Sequence, residues 1–171
     1  QQKINKNEQI KMIFICTHNS RRSHMAQLWA AAAAEYYGIK QFEAFSGGTE
    51  ATAFNPRAVK ALRKAGFSIT VEVEAPNTVY KTVFDENKTP LKSFSKRYYH
   101  EENPQKDFAA VMVCSDADET CPVVSGAESR FSLPYEDPKK YDGTALQDEK
   151  YDERCRQIAR ETAYIFSRIK S

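Results

Sequence analysis

The chain begins with a polar stretch, Gln1 to Lys11, and its first continuous apolar run is M-I-F-I-C, Met12 to Cys16. A short unbroken apolar run predicts a strand buried on both faces, as in a parallel sheet. Residues 1–11 therefore read as a loose polar leader and 12–171 as a single domain. After T-H-N-S-R-R-S a helix is expected over Ser23 to Tyr37, strengthened by the alanines 30–34 and closed by Gly38. A second strand is expected over Phe42 to Phe45, ending in Ser46-Gly47-Gly48. Asn55-Pro56 is a helix start, with Asn as the cap and Pro at the first helical position, and this helix runs to Gly66. Phe67 to Ile69 begins another extended segment.

From Glu72 to Asp107 the rhythm breaks. Thr78 to Phe84 and Leu91 to Ser95 flank the polar turn Asp85-Glu86-Asn87-Lys88, which predicts an inserted β-hairpin. Two further strands are expected, Phe108 to Val113 and Ser129 to Leu133. Gln147 to Lys170 has a helical pattern, with Tyr151, Cys155, Ile158, Thr162, Ile165 and Ile169 on one face. The alternation predicts an α/β domain: a mostly parallel four-stranded sheet flanked by helices, with a β-hairpin inserted over about 72–107. Ligands of such sheets sit at the carboxyl ends of strands.

Composition narrows the function classes. With 171 residues the chain buries roughly 70% of its unfolded surface, so it folds without disulfide or metal staples. A net charge of +2 is too weak to imply a nucleic-acid partner. No apolar run approaches the ~20 residues of a membrane span, and the polar start is not a secretory signal. The four cysteines, Cys16, Cys114, Cys121 and Cys155, then read as thiols of a cytoplasmic protein rather than as a secreted disulfide framework.

Cys16 ends the first strand, and five residues separate it from Arg22. A loop of that length between strand and helix (Thr17, His18, Asn19, Ser20, Arg21) can wrap its N–H groups around a tetrahedral oxyanion. The helix N-terminus adds positive potential, and Arg22 a planar fork of donors. The same field favours a thiolate at Cys16. Ser23 can donate to the sulfur and stabilise it as a leaving group, and Asn19 tolerates the left-handed backbone that so tight a loop needs. The alternative is a buried cysteine beside unrelated polar residues.

A thiolate that displaces an oxyanion needs an acid. Asp137, fixed by Pro138 in P-Y-E-D-P, is the candidate, with Glu136 as a substitute; the alternative is an ordinary Asp-Pro turn. Cys114 and Cys121 bracket S-D-A-D-E-T. They could be unrelated thiols or, if Cys114 reaches Cys16, a redox pair in which Cys121 carries a disulfide to the surface. His18, His24 and His100 lack paired spacing, so zinc is disfavoured and no metal is assigned. Cys155, on the apolar stripe, reads as a core thiol.

C-T-H-N-S-R-R-S, the distant D-P and C-S-D-A-D-E-T-C-P together resemble the thioredoxin-coupled arsenate reductases, which share the fold and anion loop of the low-molecular-weight protein tyrosine phosphatases. The resemblance covers about residues 12–70 and 107–170. It implies that Cys16 attacks arsenic, Arg22 and the loop hold the other oxygens, and Asp137 protonates the departing oxygen. Cys114 then attacks the sulfur, arsenite leaves, and Cys121 takes over the disulfide, which thioredoxin reduces. No bound cofactor is implied. The phosphatase branch needs only Cys16, Arg22, Ser23 and Asp137, and hydrolyses phosphotyrosine through a phosphocysteine. Three residues depart from the reductase pattern. His18 replaces a glycine, at an expected backbone cost of about 1 kcal/mol if its φ is positive. Arg21 replaces a second loop cysteine and adds charge beside the anion site. Gln27 replaces an acidic potassium ligand, although Asn19 and Ser46 remain, which weakens the case for a potassium ion. Lys88, Lys92, Lys96 and Arg97 of the insertion read as a solvated face rather than a substrate-gating surface.

Overall fold

In a computed structural model of the chain, residues 1–121 and 123–169 are described. Along the chain the elements are α1 (Gln2–Asn5), β1 (Ile10–Cys16), α2 (Arg22–Tyr36), β2 (Phe42–Gly48), α3 (Pro56–Lys64), β3 (Ser68–Val73), β4 (Val79–Val83), β5 (Leu91–Ser93), β6 (Phe108–Met112), α4 (Ser115–Thr120), β7 (Ala127–Ser132), a 3₁₀ turn (Pro138–Tyr141) and α5 (Gln147–Ser167). The main sheet has the order β2-β1-β6-β7, and every pairing in it is parallel. The expected α/β architecture with four parallel strands is therefore present. Helix α2 packs on β1, β2 and α5, while α3 packs on α5.

The core follows from the apolar runs. Ile13, Ile15, Met25, Leu28, Met112 and Ile158 are fully buried. Each is worth roughly 2 kcal/mol of apolar burial. Asn55 caps α3 by accepting a hydrogen bond from the Arg57 amide at 2.9 Å, as its place before Pro56 predicts. Gly38 follows α2 at φ +66°, where a residue without Cβ carries no strain.

Four details differ from the sequence reading. Strand β1 begins at Ile10 rather than Met12, because pairing with β2 runs from Ile10↔Phe42 to Cys16↔Gly48. The leader is also less loose than its polarity suggests: residues 2–5 are helical, Ile4 packs against the core, and Lys3 pairs with Glu128. The expected hairpin is present as β4 and β5, and a third antiparallel strand, β3, extends it into the sheet β3-β4-β5. The short run after Gly66 is its first strand, so the unit begins at Ser68 rather than Glu72. On α5 the position expected for Ile165 goes to Phe166, which is buried edge-on against Phe42, while Ile165 is exposed. The two positions flank the stripe, and the larger ring takes the interior. The end of that predicted helix, Lys170, lies outside the described residues, as does Pro122.

Candidate active site

Cys16 is the last residue of β1, Arg22 the first of α2, and the loop between them closes over the strand end. The Cys16 thiol is buried and lies 3.1 Å from the Ser23 hydroxyl. Asn19 sits at φ +45°, the one left-handed residue of the loop. The strain expected at His18 is therefore absent; the turn falls one residue later, where Asn tolerates it. Asn19 Nδ2 donates to Ser23 Oγ at 2.8 Å, which orients that hydroxyl beside the sulfur. His18 lies at the rim, its Nε2 3.5 Å from Glu50.

Segments distant in sequence fix the outer side of the loop. Asn19 Oδ1 accepts the Lys96 amide at 2.8 Å, and the His18 carbonyl accepts the Ser95 hydroxyl at 2.9 Å. The Cys16 and Thr17 carbonyls accept the Thr49 and Glu50 amides, at 3.1 and 2.8 Å. Gly48 has no room for a Cβ: such an atom would lie 2.6 Å from the Thr17 carbonyl oxygen and 2.7 Å from the Asn19 nitrogen. Thus the β2 end and the insertion hold the loop's carbonyls outward. No side chain among the described residues caps α2, so its first N–H groups stay available to an anion.

Arg22 is buried and spans from the loop to the segment after β7. It donates to the Tyr135 carbonyl at 2.9 Å and to Asp137 Oδ2 at 2.8 Å. Its Nε is buried and has no partner among the described residues. A buried guanidinium N–H without an acceptor is costly, and a bound oxyanion would supply one. Asp137 also caps the 3₁₀ turn, with Oδ1 accepting the Lys139 amide at 3.0 Å. This holds the carboxylate beside Arg22. Glu136, the substitute acid, instead bonds Lys140 and Arg154 and does not join Arg22. The Arg21 guanidinium donates to Tyr151 Oη at 2.8 Å and lies 3.8 Å from Asp142 and 3.9 Å from Asp137 Oδ1, on the side of the carboxylate away from Arg22 Nη2. Burial pushes that tyrosine up to about 12.

Cys114 follows β6, the strand beside β1. The pairing Ile15↔Met112 puts Val113 level with Cys16 and Cys114 one residue beyond. The Cys114 thiol is buried, lies 3.5 Å from Thr17 Oγ1, and caps α4 by accepting the Ala117 amide at 3.4 Å. Cys121 ends α4 and is partly exposed, with its thiol donating to the Val123 carbonyl at 3.4 Å. Cys155 is buried against the Trp29 N–H, and desolvation pushes its thiol up. All four thiols are unbonded to one another.

Behind the loop lies a buried polar layer that residue type and order do not reveal. His24 is fully buried, stacks on Phe54 at 3.9 Å and meets Ser46 at 3.3 Å. Desolvation, and then the Lys96 charge, hold it well below its ordinary value, so the ring is neutral. Lys96 is only 5% exposed, contrary to the solvated face expected for it; Lys88 and Lys92 do reach solvent, paired with Glu35 and Glu102. In the same layer Asn19 bonds Ser23 and Lys96, and Gln27 donates to the Ala44 carbonyl while its Oε1 is buried without a partner among the described residues. Among the described residues no three His, Cys, Asp or Glu side chains gather as metal ligands, and no helix is long and apolar enough to cross a membrane.

The chain is similar to known proteins in sequence and in fold. The family model of the low molecular weight phosphotyrosine protein phosphatases matches residues 11–87. An arsenate reductase of Halalkalibacterium halodurans is 30% identical over 131 residues, 77% of this chain and 76% of that protein. Among solved structures, a low molecular weight protein tyrosine phosphatase from T. tengcongensis superposes with a TM-score of 0.63 at 18% identity, covering 94% of this chain and 99% of that one. An arsenate reductase in a phosphate-binding state gives 0.59 at 19% identity, covering 94% and 99%.

Proposed function

Because the chain belongs to the low-molecular-weight protein tyrosine phosphatase superfamily and is a distant homologue of the arsenate reductases, we propose that it reduces arsenate to arsenite through a relay of Cys16, Cys114 and Cys121. The superfamily acts on phosphate-like oxyanions, and the anion loop with its unpartnered Arg22 Nε suits one. The observation that favours reduction over hydrolysis is the second thiol: Cys114 lies against the loop, 3.5 Å from the Thr17 hydroxyl, two residues past the end of the strand that pairs with β1.

In this reading the Cys16 thiolate attacks arsenic, and Ser23 steadies the sulfur. The loop N–H groups and Arg22 hold the remaining oxygens while Asp137 gives its proton to the departing oxygen, which leaves as water. The Cys114 thiolate then attacks Cys16 Sγ. The S–As bond breaks, its electron pair stays on arsenic, and arsenite departs from a Cys16–Cys114 disulfide. Cys121 attacks Cys114 Sγ and releases the Cys16 thiolate. An external dithiol of the thioredoxin type reduces the Cys114–Cys121 bond. Helix α4 keeps those two sulfurs apart: seven residues at helical rise separate their Cα atoms by about 10 Å. A disulfide needs less than about 7 Å, so α4 must open as the bond forms.

The second reading is a tyrosine phosphatase. Cys16, Ser23, Arg22 and Asp137 form a complete hydrolytic set without Cys114. One experiment separates the two: turnover of arsenate and of an aryl phosphate, each with and without thioredoxin, thioredoxin reductase and NADPH. Reduction predicts arsenate-dependent NADPH oxidation that Cys114→Ser abolishes while aryl phosphate hydrolysis survives. Full multiple-turnover reduction by Cys114→Ser refutes the relay. High turnover on phosphotyrosine peptides with no arsenate-dependent NADPH oxidation establishes the phosphatase instead.

A further inference from the structure

Helix α4 holds two of the proposed relay thiols apart, and one side chain from another element grips its far end. Helical bonding runs from one thiol to the other: the Asp118 amide donates to the Cys114 carbonyl at 3.0 Å, and the Cys121 amide to the Ala117 carbonyl at 3.0 Å. The carbonyls of a helix's last turn have no partner within the helix. Here Arg130 of β7 supplies one. Its Nη2 donates to the Asp118 carbonyl at 2.7 Å and to the Cys121 carbonyl at 3.2 Å, and its Nε to the Cys121 carbonyl at 3.3 Å. The guanidinium also pairs with the Asp118 carboxylate, whose other oxygen accepts the Ser132 hydroxyl at 2.5 Å. Arg130 stands opposite Ala110 in the β6–β7 pairing, so its backbone is fixed by the main sheet.

The two carbonyls that Arg130 bonds lie three residues apart and span one helical turn, so a single fork reaches both only while that turn is intact. Cys114 is buried and follows β6, a strand bonded on both sides, so Cys121 is the partner that must move. Bringing the Cα atoms from about 10 Å to under about 7 Å unwinds the turn and breaks the bonds to Arg130. The Cys121 thiol meanwhile donates to its own chain, at the Val123 carbonyl, 3.4 Å away. The contacts of Arg130 therefore belong to the dithiol form and not to the disulfide.

We infer that Arg130 is the positioning residue for Cys121: its guanidinium latches the end of α4 in the dithiol form, holds the resolving thiol back from Cys114 and releases it as the disulfide closes. The inference rests on the relay reading above. The step it governs is thiol–disulfide exchange. The Cys121–Cys114 bond forms, the Cys114–Cys16 bond breaks, the electron pair leaves on Cys16 and the Cys121 proton goes to water. Arg130 keeps its protons throughout. Because it stabilises only the dithiol, it makes the Cys114–Cys121 disulfide easier for an external dithiol to reduce.

The test is a redox titration of the full chain carrying Cys16→Ser, which leaves Cys114 and Cys121 as the reacting pair, in glutathione buffers of graded ratio. Each disulfide formed converts one oxidised glutathione to two thiols, and alkylation with mass spectrometry counts the Cys114–Cys121 bond. Adding Arg130→Met keeps an unbranched stem and removes the fork. It is expected to shift the equilibrium about tenfold toward the disulfide, a fall of about 30 mV in potential, the effect of losing hydrogen bonds from a charged group. Arg130→Lys keeps the charge without the planar fork and is expected to fall between the two. Urea unfolding of the dithiol and disulfide forms completes the cycle: Arg130→Met should destabilise the dithiol form alone. Equal destabilisation of both forms marks a purely structural arginine and overturns the inference, as does a potential unchanged by either substitution. If the chain with Cys16→Ser alone forms no Cys114–Cys121 disulfide at any ratio, the relay itself fails, and this role with it.

Discussion

Lys96 is a buried cation without a carboxylate bonded to it, and replacing it should stabilise the protein. Its ammonium lies 4.6 Å from the Phe94 ring centre and is only 5% exposed as a residue. Desolvation, partly offset by Glu102 and reinforced by Lys92, takes it from the ordinary 10.5 to about 8. That difference corresponds to about 3 kcal/mol against the charged form in the folded state. The sign follows from proton binding. Between about pH 8 and 10.5 the unfolded chain holds more protons at this site than the folded one, so the wild-type protein gains stability as pH rises through that window. Below about pH 8 both states are protonated and the cost is fully present. Lys96→Met keeps the volume and leaves the main-chain bonds to Asn19 and Gly48 in place. It should be more stable than wild type by up to about 3 kcal/mol near pH 7, a gap that narrows to about 1.5 kcal/mol near pH 9.5. Urea unfolding of both proteins at several pH values from 7 upward measures it, a range in which His24, the ring that the Lys96 charge also depresses, stays neutral. A gap that does not change with pH, or a wild type more stable at neutral pH, would falsify the reasoning.

Asn19→Ala removes the bonds to Ser23 and Lys96 and puts a Cβ-bearing residue without local hydrogen bonds at φ +45°. A loss of about 3 kcal/mol is expected; Asn19→Gly should recover about 1 kcal/mol of it, and equal urea midpoints for the two would remove backbone strain from the account. Gly47→Ala forces the added Cβ onto Tyr98 Cα, so about 2 kcal/mol of destabilisation is expected in the same assay, with none if the insertion shifts freely. Asp137→Asn should cut aryl phosphate hydrolysis about 100-fold, while calorimetry shows inorganic phosphate binding at least as tightly, because the Arg22 fork loses its competing carboxylate.

What could be read along the chain is what is local. The strand, the anion loop and the helix after it occupy the continuous stretch 10–36, so Cys16, Asn19, Arg22 and Ser23 were recognisable from order and residue type. Asp137 was recognisable because proline and the cap lie next to it. The place of Cys114 beside Thr17 was not, since it depends on the register of β1 against β6, set by strands almost one hundred residues apart. The burial of Lys96 was hidden by its charge: it sits in a run of cations, and only the chain's return onto Gly48 takes it out of solvent. The paired glycines after Phe45 were the one signal of that return. Glycines at a strand end mark a close approach by another backbone, and the approaching segment here is 96–98.

The insertion is thus part of the site. An anion loop needs its N–H groups turned inward, so its carbonyls must find donors on the other side. Here those donors are the Ser95, Thr49 and Thr52 hydroxyls and the amides of Thr49, Glu50 and Asn55, while the Lys96 amide fixes Asn19 and, through it, Ser23. Ser95 and Lys96 come from the segment that follows β5. Changes that loosen the three-stranded sheet should therefore be felt as loss of anion affinity at Cys16, although no side chain of β3 or β4 bonds the loop.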